Sequence, residues 1–528
     1  MNIAPDVSAR RSQFKPTRVE ADLSALSEGH KLALPHLSKA ARVVDELFNR
    51  QAWAHNPEFA QKVSALQGPL AGPAKAYYRI MRGPWDRLKR HEPFLGETPR
   101  PQGAGFYPED MDRDEFTRWL EGHPQDRETF TSPYTVLRRD GAGLKAVPYG
   151  EAYGELLSEA ASHLKDAAAA CGDEALSRFL NLRAEAFLSD DYSASDSAWV
   201  ELDSPLEAVI GPYETYEDSL FGYKTSFEAF LCVAQKEDSE RLESYKVQMP
   251  WLEGNLPIPD EHKNFRRGAP PIRVVEEVLT AGECRAGVQT AAFNLPNDER
   301  VREAKGFKNV LLKNVMAAKF DTIVRPISER VLPHGDAEKS RFDSFFHTIL
   351  FHELAHGLGP GRLELQGRET EVRLELRDLY SPIEEAKADT LAIYDLLALG
   401  ERGLVPGEVL EYLPWTYVAG LFRAARFGTS DAHGLGVAIQ AGALIEKGAL
   451  SASAEGRFKP VPEKFPEAFR ELAQELLMVQ ATGDYAGAKE LIAQWGILHP
   501  AMAKLLANLR DIPVDIEPAY AFEGNDEG

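Results

Sequence analysis

The chain has 528 residues, 44% of them hydrophobic, and a formal net charge of −22. That length and apolar content suffice for two or more packed lobes. The acidic balance, with a pI near 5.2, argues against nucleic acid, whose phosphates need clustered Lys and Arg.

Residues 1–18 are expected as a disordered or lightly docked arm without the apolar core of a secretory signal, which favours a cytoplasmic protein. The stretch LSEGHKLALPHLSKAARVVDELFNRQAW has apolar residues at helical spacing and predicts paired helices. From Met81 to Gly154, Pro, Gly and aromatic residues alternate with mixed charge, predicting long surface loops with short helices. Tyr153 to Leu188 is rich in Ala and Leu and reads as helix. The segments SAWVELDSPLEAVIGPYETY, SFEAFLCVAQ, PIRVVEEVLTAG and GVQTAAFNLP read as strands of a small β core. From Asp336 to Ala507 the pattern is almost wholly helical, and the tail DIEPAYAFEGNDEG is expected to fray. No run of about 18 apolar residues predicts a membrane span. Cys171, Cys232 and Cys284 have no metal or redox spacing and read as reduced packing residues.

Two motifs carry chemistry. In FHELAHGLG, His352 and His356 stand at i and i+4, so one helix face can aim both imidazoles at one point. Zn²⁺ accepts imidazole nitrogen and, in catalytic sites, keeps one position for water. Glu353 can take a proton from such a water. A third protein ligand is needed. In SPIEEAKADT, Ser381 and Pro382 predict a helix start, and Glu385 offers a carboxylate from that helix. Asp389, one turn later, can accept the free N–H of one zinc-bound histidine, and Glu384 that of the other. The intervening Gly- and Pro-broken stretch reads as a polar excursion between the two helices. HExxH alone is a short pattern, and an acidic helix start alone is commonplace. The two in order, on apolar helices, point to a catalytic metal centre. Co²⁺ or Mn²⁺ could occupy the same ligands. His347 reads as structural.

HELAH followed by EEAKAD resembles the dipeptidyl peptidase III family of zinc exopeptidases, in a five-residue HExxH form seen in bacterial relatives. The resemblance implies one Zn²⁺ per chain on His352, His356 and Glu385, with Glu353 as general base. Three more blocks support it. FNLPNDERVREAKGFKNVLLKN resembles the family's substrate strand, which implies that Asn294 and Asn297 hold the substrate's amino end. LEAVIGPYETYED is similar to a family stretch whose glutamate, here Glu207, pairs with the free α-amino group. DAHGLGVAIQ, Asp431 to Gln440, resembles the block with a catalytic histidine, here His433, which would help hold the oxyanion. One position departs: the family has a tyrosine two residues after Glu207, and this chain has Val209. Losing one such donor costs about 10²–10³ in rate in a well-studied protease. Tyr213 or Tyr216 could substitute.

The implied fold is α+β and two-lobed, with a mostly helical zinc-bearing lobe and a lobe built on a small β-barrel core, separated by a wide cleft. The expected boundaries are 1–233 with about 272–289 for the β lobe, and 234–271 with 290–528 for the zinc lobe. The implied activity is zinc-dependent release of dipeptides from the free N-terminus of short peptides, with no nucleic-acid or membrane partner. Two alternatives stay open: hydrolysis of a non-peptide small molecule, motivated by Val209, and a non-catalytic peptide-binding protein, against which the intact Glu353 argues.

Overall fold

The computed structural model describes residues 1–141, 143–265, 272–429, 432–453 and 455–522. The chain forms two compact units. The first takes Met1–Ser239, Ile272–Val315 and Asp515–Gly528; the second takes Glu240–Pro271 and Met316–Val514. Residues 290–315, expected with the helical lobe, fall in the first unit because they add two strands to its sheet. Among the described residues no helix is long and apolar enough to cross a membrane.

In the first unit, β1 (Phe14–Val19) stands apart from the main sheet, whose strands are β2 (Leu206–Glu214), β3 (Ser226–Ala234), β4 (Ile272–Gly282), β5 (Ala292–Leu295) and β6 (Lys308–Leu312). Their order is β2-β3-β4-β6-β5, antiparallel except for the β4–β6 pair. β2 and β3 are buried along almost their whole length, which fits their near-continuous apolar runs. The sheet curls. Phe230 of β3 stacks on Phe293 of β5 at 4.4 Å across two intervening strands. Asn297, just past β5, donates to the Tyr213 carbonyl of β2 at 3.1 Å. The ladder does not close between β2 and β5, so the expected barrel is instead a curled open sheet. Right-handed strand twist supplies the curl, and closure needs further register stagger.

The helix α1 (Glu28–Ala52) covers β3 and β4 and packs on α2 (Gly154–Ala170). It is one 25-residue helix continuing through Pro35, where paired helices were expected. The Ser27 side chain accepts from His30 N and caps its start. The stretch from 81 to 154 is not superficial: Trp85, Phe94, Leu95, Phe106 and Tyr107 are all buried. Neither terminus is loose over its described residues. β1 pairs in parallel with the last strand, Asp515–Tyr520, and both bury apolar side chains: Phe14, Val19 and Ile516.

The second unit is helical around α3 (Phe342–Ala355) and α4 (Tyr380–Glu401), which lie against each other. α5 (Gly407–Ala425) packs on α3, while α6 (Ala432–Glu446) and α7 (Phe465–Thr482) pack on α4. The polar excursion between α3 and α4 is ordered as a hairpin, Arg362–Leu365 paired with Arg368–Glu371. α4 begins at Tyr380, after a 3₁₀ turn, so Ser381 lies inside the helix rather than at its cap.

Candidate metal centre

α3 is apolar on most sides and correspondingly buried: Phe345, Phe346, Leu350, Phe351 and Leu354 are all inside. It ends where chemistry begins. His356 is its C-cap, still in αR geometry, and Gly359 turns the chain away at φ 81°, donating its N–H to Glu253 Oε2 at 2.8 Å. A Cβ on Gly359 would meet Leu477 at 2.7 Å.

His352 and His356 point the same way, as their spacing predicts. Their Nε2 atoms lie 3.1 Å apart. Glu385 Oε2, from α4, lies 3.4 Å from His352 Nε2 and 3.9 Å from His356 Nε2. The other ring nitrogens are engaged: His352 Nδ1 meets Asp389 Oδ1 at 2.7 Å, and His356 Nδ1 meets Glu384 Oε1 at 2.8 Å. An ionised carboxylate only accepts, so each Nδ1 carries the proton and each Nε2 presents a lone pair. Two lone pairs facing each other at 3.1 Å, with a carboxylate oxygen alongside, form a nest for a cation. Tetrahedral zinc with bonds of about 2.0–2.1 Å would set its donors about 3.3 Å apart, close to the spacing found. The residues therefore fit the metal that the motifs imply.

Without a cation between the ligands, the surrounding carboxylates favour positive charge at the centre. Burial works against charge on His352, but Asp389 and Glu385 outweigh it and hold the imidazole well above the usual histidine range. Burial would raise Glu384, yet Lys387 and His356 pull it down to about 2. Glu385 is likewise held far below the ordinary carboxylate range, against its burial, by His352 and His433. Glu353 is half-buried on α3, and among the described residues its carboxylate enters no hydrogen bond or ion pair. His433 opens α6 and brings Nδ1 to 3.0 Å from Glu385 Oε2. Asp431, at the start of that block, lies outside the described residues. A cavity of about 1010 Å³ opens beside His356 and Glu384, with Leu363 and Val372 among its walls.

Four further residues shape the centre. Lys387, almost wholly buried, donates to the carbonyls of Ala355 at 2.8 Å and Leu358 at 3.1 Å and pairs with Glu384 at 2.8 Å. It thereby caps the open C-terminal carbonyls of α3 with a cation. Its place one turn from Glu384 in EEAKAD was a readable signal. Gln440 Nε2 donates to Asp389 Oδ2 and Gln480 Nε2 to Glu384 Oε2, both at 2.8 Å. Tyr417 O–H donates to Gln440 Oε1 at 2.6 Å. These three come from α5, α6 and α7, and no motif spacing announces them.

The substrate residues expected from the resemblance all lie in the first unit. Glu207 is fully buried inside the sheet's curl, with Lys308 Nζ at 3.3 Å and Arg273 Nε at 3.2 Å. A ligand's ammonium cannot reach it without displacing those two cations. Asn294 pairs with Asn309 in the β5–β6 ladder, and its Oδ1 is buried without a hydrogen-bond partner. Asn297 is exposed and reaches Glu214 Oε1 at 3.4 Å. Glu214, which the sequence reading passed over, is therefore the carboxylate beside Asn297, and burial raises its pKa. Val209 is fully buried; Tyr213 is packed against Arg183, and Tyr216 is 78% exposed.

Comparison with known proteins agrees with this geometry. The description Peptidase family M49 matches residues 135–395. The solved structure of DPP III from Caldithrix abyssi is 46% identical, covers 97% of this chain and 99% of that one, and superposes with a TM-score of 0.96. Dipeptidyl-peptidase III from Corallococcus sp. strain EGB is 40% identical, with a TM-score of 0.85 over 99% of this chain and 98% of that one. A relative from Arabidopsis thaliana, named Nudix hydrolase 3, is 34% identical over 96% of this chain and 73% of its own length. Family match, overall fold and the paired HELAH and EEAKAD helices converge: the chain belongs to the dipeptidyl peptidase III family, the M49 metallopeptidases.

Proposed function

We propose that the protein is a zinc-dependent exopeptidase that releases dipeptides from the free amino end of short peptides. The observation that carries this reading is the convergence of two imidazole lone pairs and the Glu385 carboxylate beside an unengaged Glu353. His352, His356 and Glu385 would hold Zn²⁺. When bound, the metal supplies Lewis-acid polarisation and a more acidic water. Glu353 takes the proton from the attacking water's oxygen and returns it to the leaving nitrogen. Asp389 and Glu384 keep both imidazoles in the Nδ1–H tautomer throughout. His433, held by Glu385, would stand by the developing oxyanion.

At the amino end, Asn294 and Asn297 would hold the substrate, and Glu214 rather than Glu207 would supply the carboxylate. The unsatisfied Asn294 Oδ1 and the raised Glu214 both favour a cationic partner. Sequential loss of two residues at a time from a pool of short peptides, read by mass spectrometry, tests the reading. Glu353→Ala is expected to keep its zinc and lose at least about 10² in rate, within the range for a general base. Wild-type turnover in that variant would sink the mechanism. Internal cleavage would keep the metal chemistry and discard the amino-end clamp. Val209 favours a second reading, a non-peptide substrate, since no tyrosine hydroxyl stands at that position of β2. Zinc-loaded protein that turns over no peptide would select it.

A further inference from the structure

The two histidine-holding carboxylates are themselves held, but unequally. Each uses one oxygen for its histidine and the other for a glutamine amide at 2.8 Å. Glu384 has a second anchor: the buried ammonium of Lys387, 2.8 Å from Oε1. Asp389 has no such cation among the described residues. Among the described residues its orientation rests on the Gln440 amide, besides His352 itself.

Gln440 is fixed as a donor. An amide side chain can flip, exchanging its oxygen and nitrogen at nearly equal volume. Here the Tyr417 O–H donates to Oε1 at 2.6 Å, and Nε2 makes a second bond to the Gly436 carbonyl at 3.2 Å. In the flipped amide the Gly436 carbonyl, which only accepts, would face an oxygen, and the Tyr417 proton would lose its acceptor. Gln440 is completely buried, so water cannot compensate. At Gly436, one turn earlier, a Cβ would sit 3.1 Å from Ala386 N, so the absence of a side chain there lets α6 come close enough to α4 for the contact.

We propose that Gln440, locked by Tyr417, is the positioning residue that retains the metal through Asp389 and His352, and that Gln480 is redundant with Lys387 in the same task for Glu384 and His356. The inference rests on the zinc reading above. It assigns the two histidines different dependence on their surroundings: His352 is the ligand whose partner carboxylate is held by one amide and no cation among the described residues.

The test is the rate of zinc release from the full-length protein into an excess of chromophoric chelator. Removing a group that directly orients a ligand typically costs 10–100-fold in metal affinity or activity. One bond further out, Gln440→Met is expected to speed release about tenfold, and Tyr417→Phe about threefold. Gln480→Met should stay within about twofold of wild type, because Lys387 still holds Glu384. The Co²⁺-substituted protein supplies a second readout. Its visible absorption band should shift in Gln440→Met and not in Gln480→Met, whereas a merely structural role would lower the thermal midpoint of the metal-free protein and leave the band in place. Should Gln440→Met fail to fold, Tyr417→Phe, which removes a single hydroxyl, carries the comparison. Equal release from the two glutamine variants, or unchanged release from Tyr417→Phe, overturns the proposal. Wild-type zinc retention indifferent to His352→Ala would overturn the metal reading, and this inference with it.

Discussion

The charge on a carboxylate reveals little until its neighbours are known, and Glu207 and Glu214 show how far apart two such groups can stand on one strand. Glu207 is enclosed by Lys308 and Arg273, so its charge is spent inside the fold. Glu207→Gln would leave the buried Lys308 ammonium undercompensated and Arg273 with Asp203 alone, and should lower stability by about 3–5 kcal/mol, the range for breaking a buried ion pair. Denaturant unfolding reads this directly, and an unchanged midpoint would contradict the burial argument. Glu214→Gln should do the opposite. Its carboxylate is held against burial by little more than Asn297, so the neutral amide relieves a cost and stability should hold or rise. If Glu214 meets the substrate's ammonium, KM for peptides with a free amino end should climb, and acetylated peptides should show no such change. The two variants thus separate a structural carboxylate from a binding one.

At the scale of elements, what the sequence made legible was whatever a single helix turn encodes. His352 and His356, Glu385 and Asp389 are each one turn apart, so their convergence within each motif follows from helix geometry alone. What was not legible depended on segments far apart in the chain. The cations around Glu207 arrive on β4 and β6. Gln480 arrives on α7, and β1 finds its partner at the other end of the chain. The open sheet edge escaped for the same reason: an alternating or apolar strand reads alike in a barrel and in a curled sheet. Close helix approach is also invisible in a sequence, and Gly436 is where it matters. With its hypothetical Cβ 3.1 Å from Ala386 N and 3.5 Å from Glu385 C, the neighbour is backbone and can yield only by moving α6 away from α4. Gly436→Ala should therefore cost stability despite alanine's better helix propensity, which alone would gain about 1 kcal/mol. It should also weaken the Gln440–Asp389 contact one turn on. A raised thermal midpoint together with unchanged zinc release would show that the helices are not held at that distance.

For the molecule as a whole, the candidate metal centre and the paired termini belong to different compact units, and each should stabilise its own. All three candidate ligands, and the carboxylates, glutamines and lysine behind them, lie in the second unit. The terminal strand pair lies in the first, where the Tyr520 hydroxyl meets Thr280 Oγ1 at 2.7 Å and bonds to Glu277. A metal that binds only the folded state stabilises it by mass action, about 4 kcal/mol at a thousandfold excess over Kd. Stripping zinc should therefore raise amide exchange in α3 and α4 while β2 and β3 keep their protection. Removing residues 515–528 should do the converse. It strips β1 of its ladder and uncovers Phe14, so exchange should rise in β1 and β4 while zinc release stays at the wild-type rate. Hydrogen exchange with mass spectrometry on both proteins resolves the two patterns. If chelation loosened the first unit's sheet as much as α3, the two units would share one unfolding step, and stability would not partition between metal and strands.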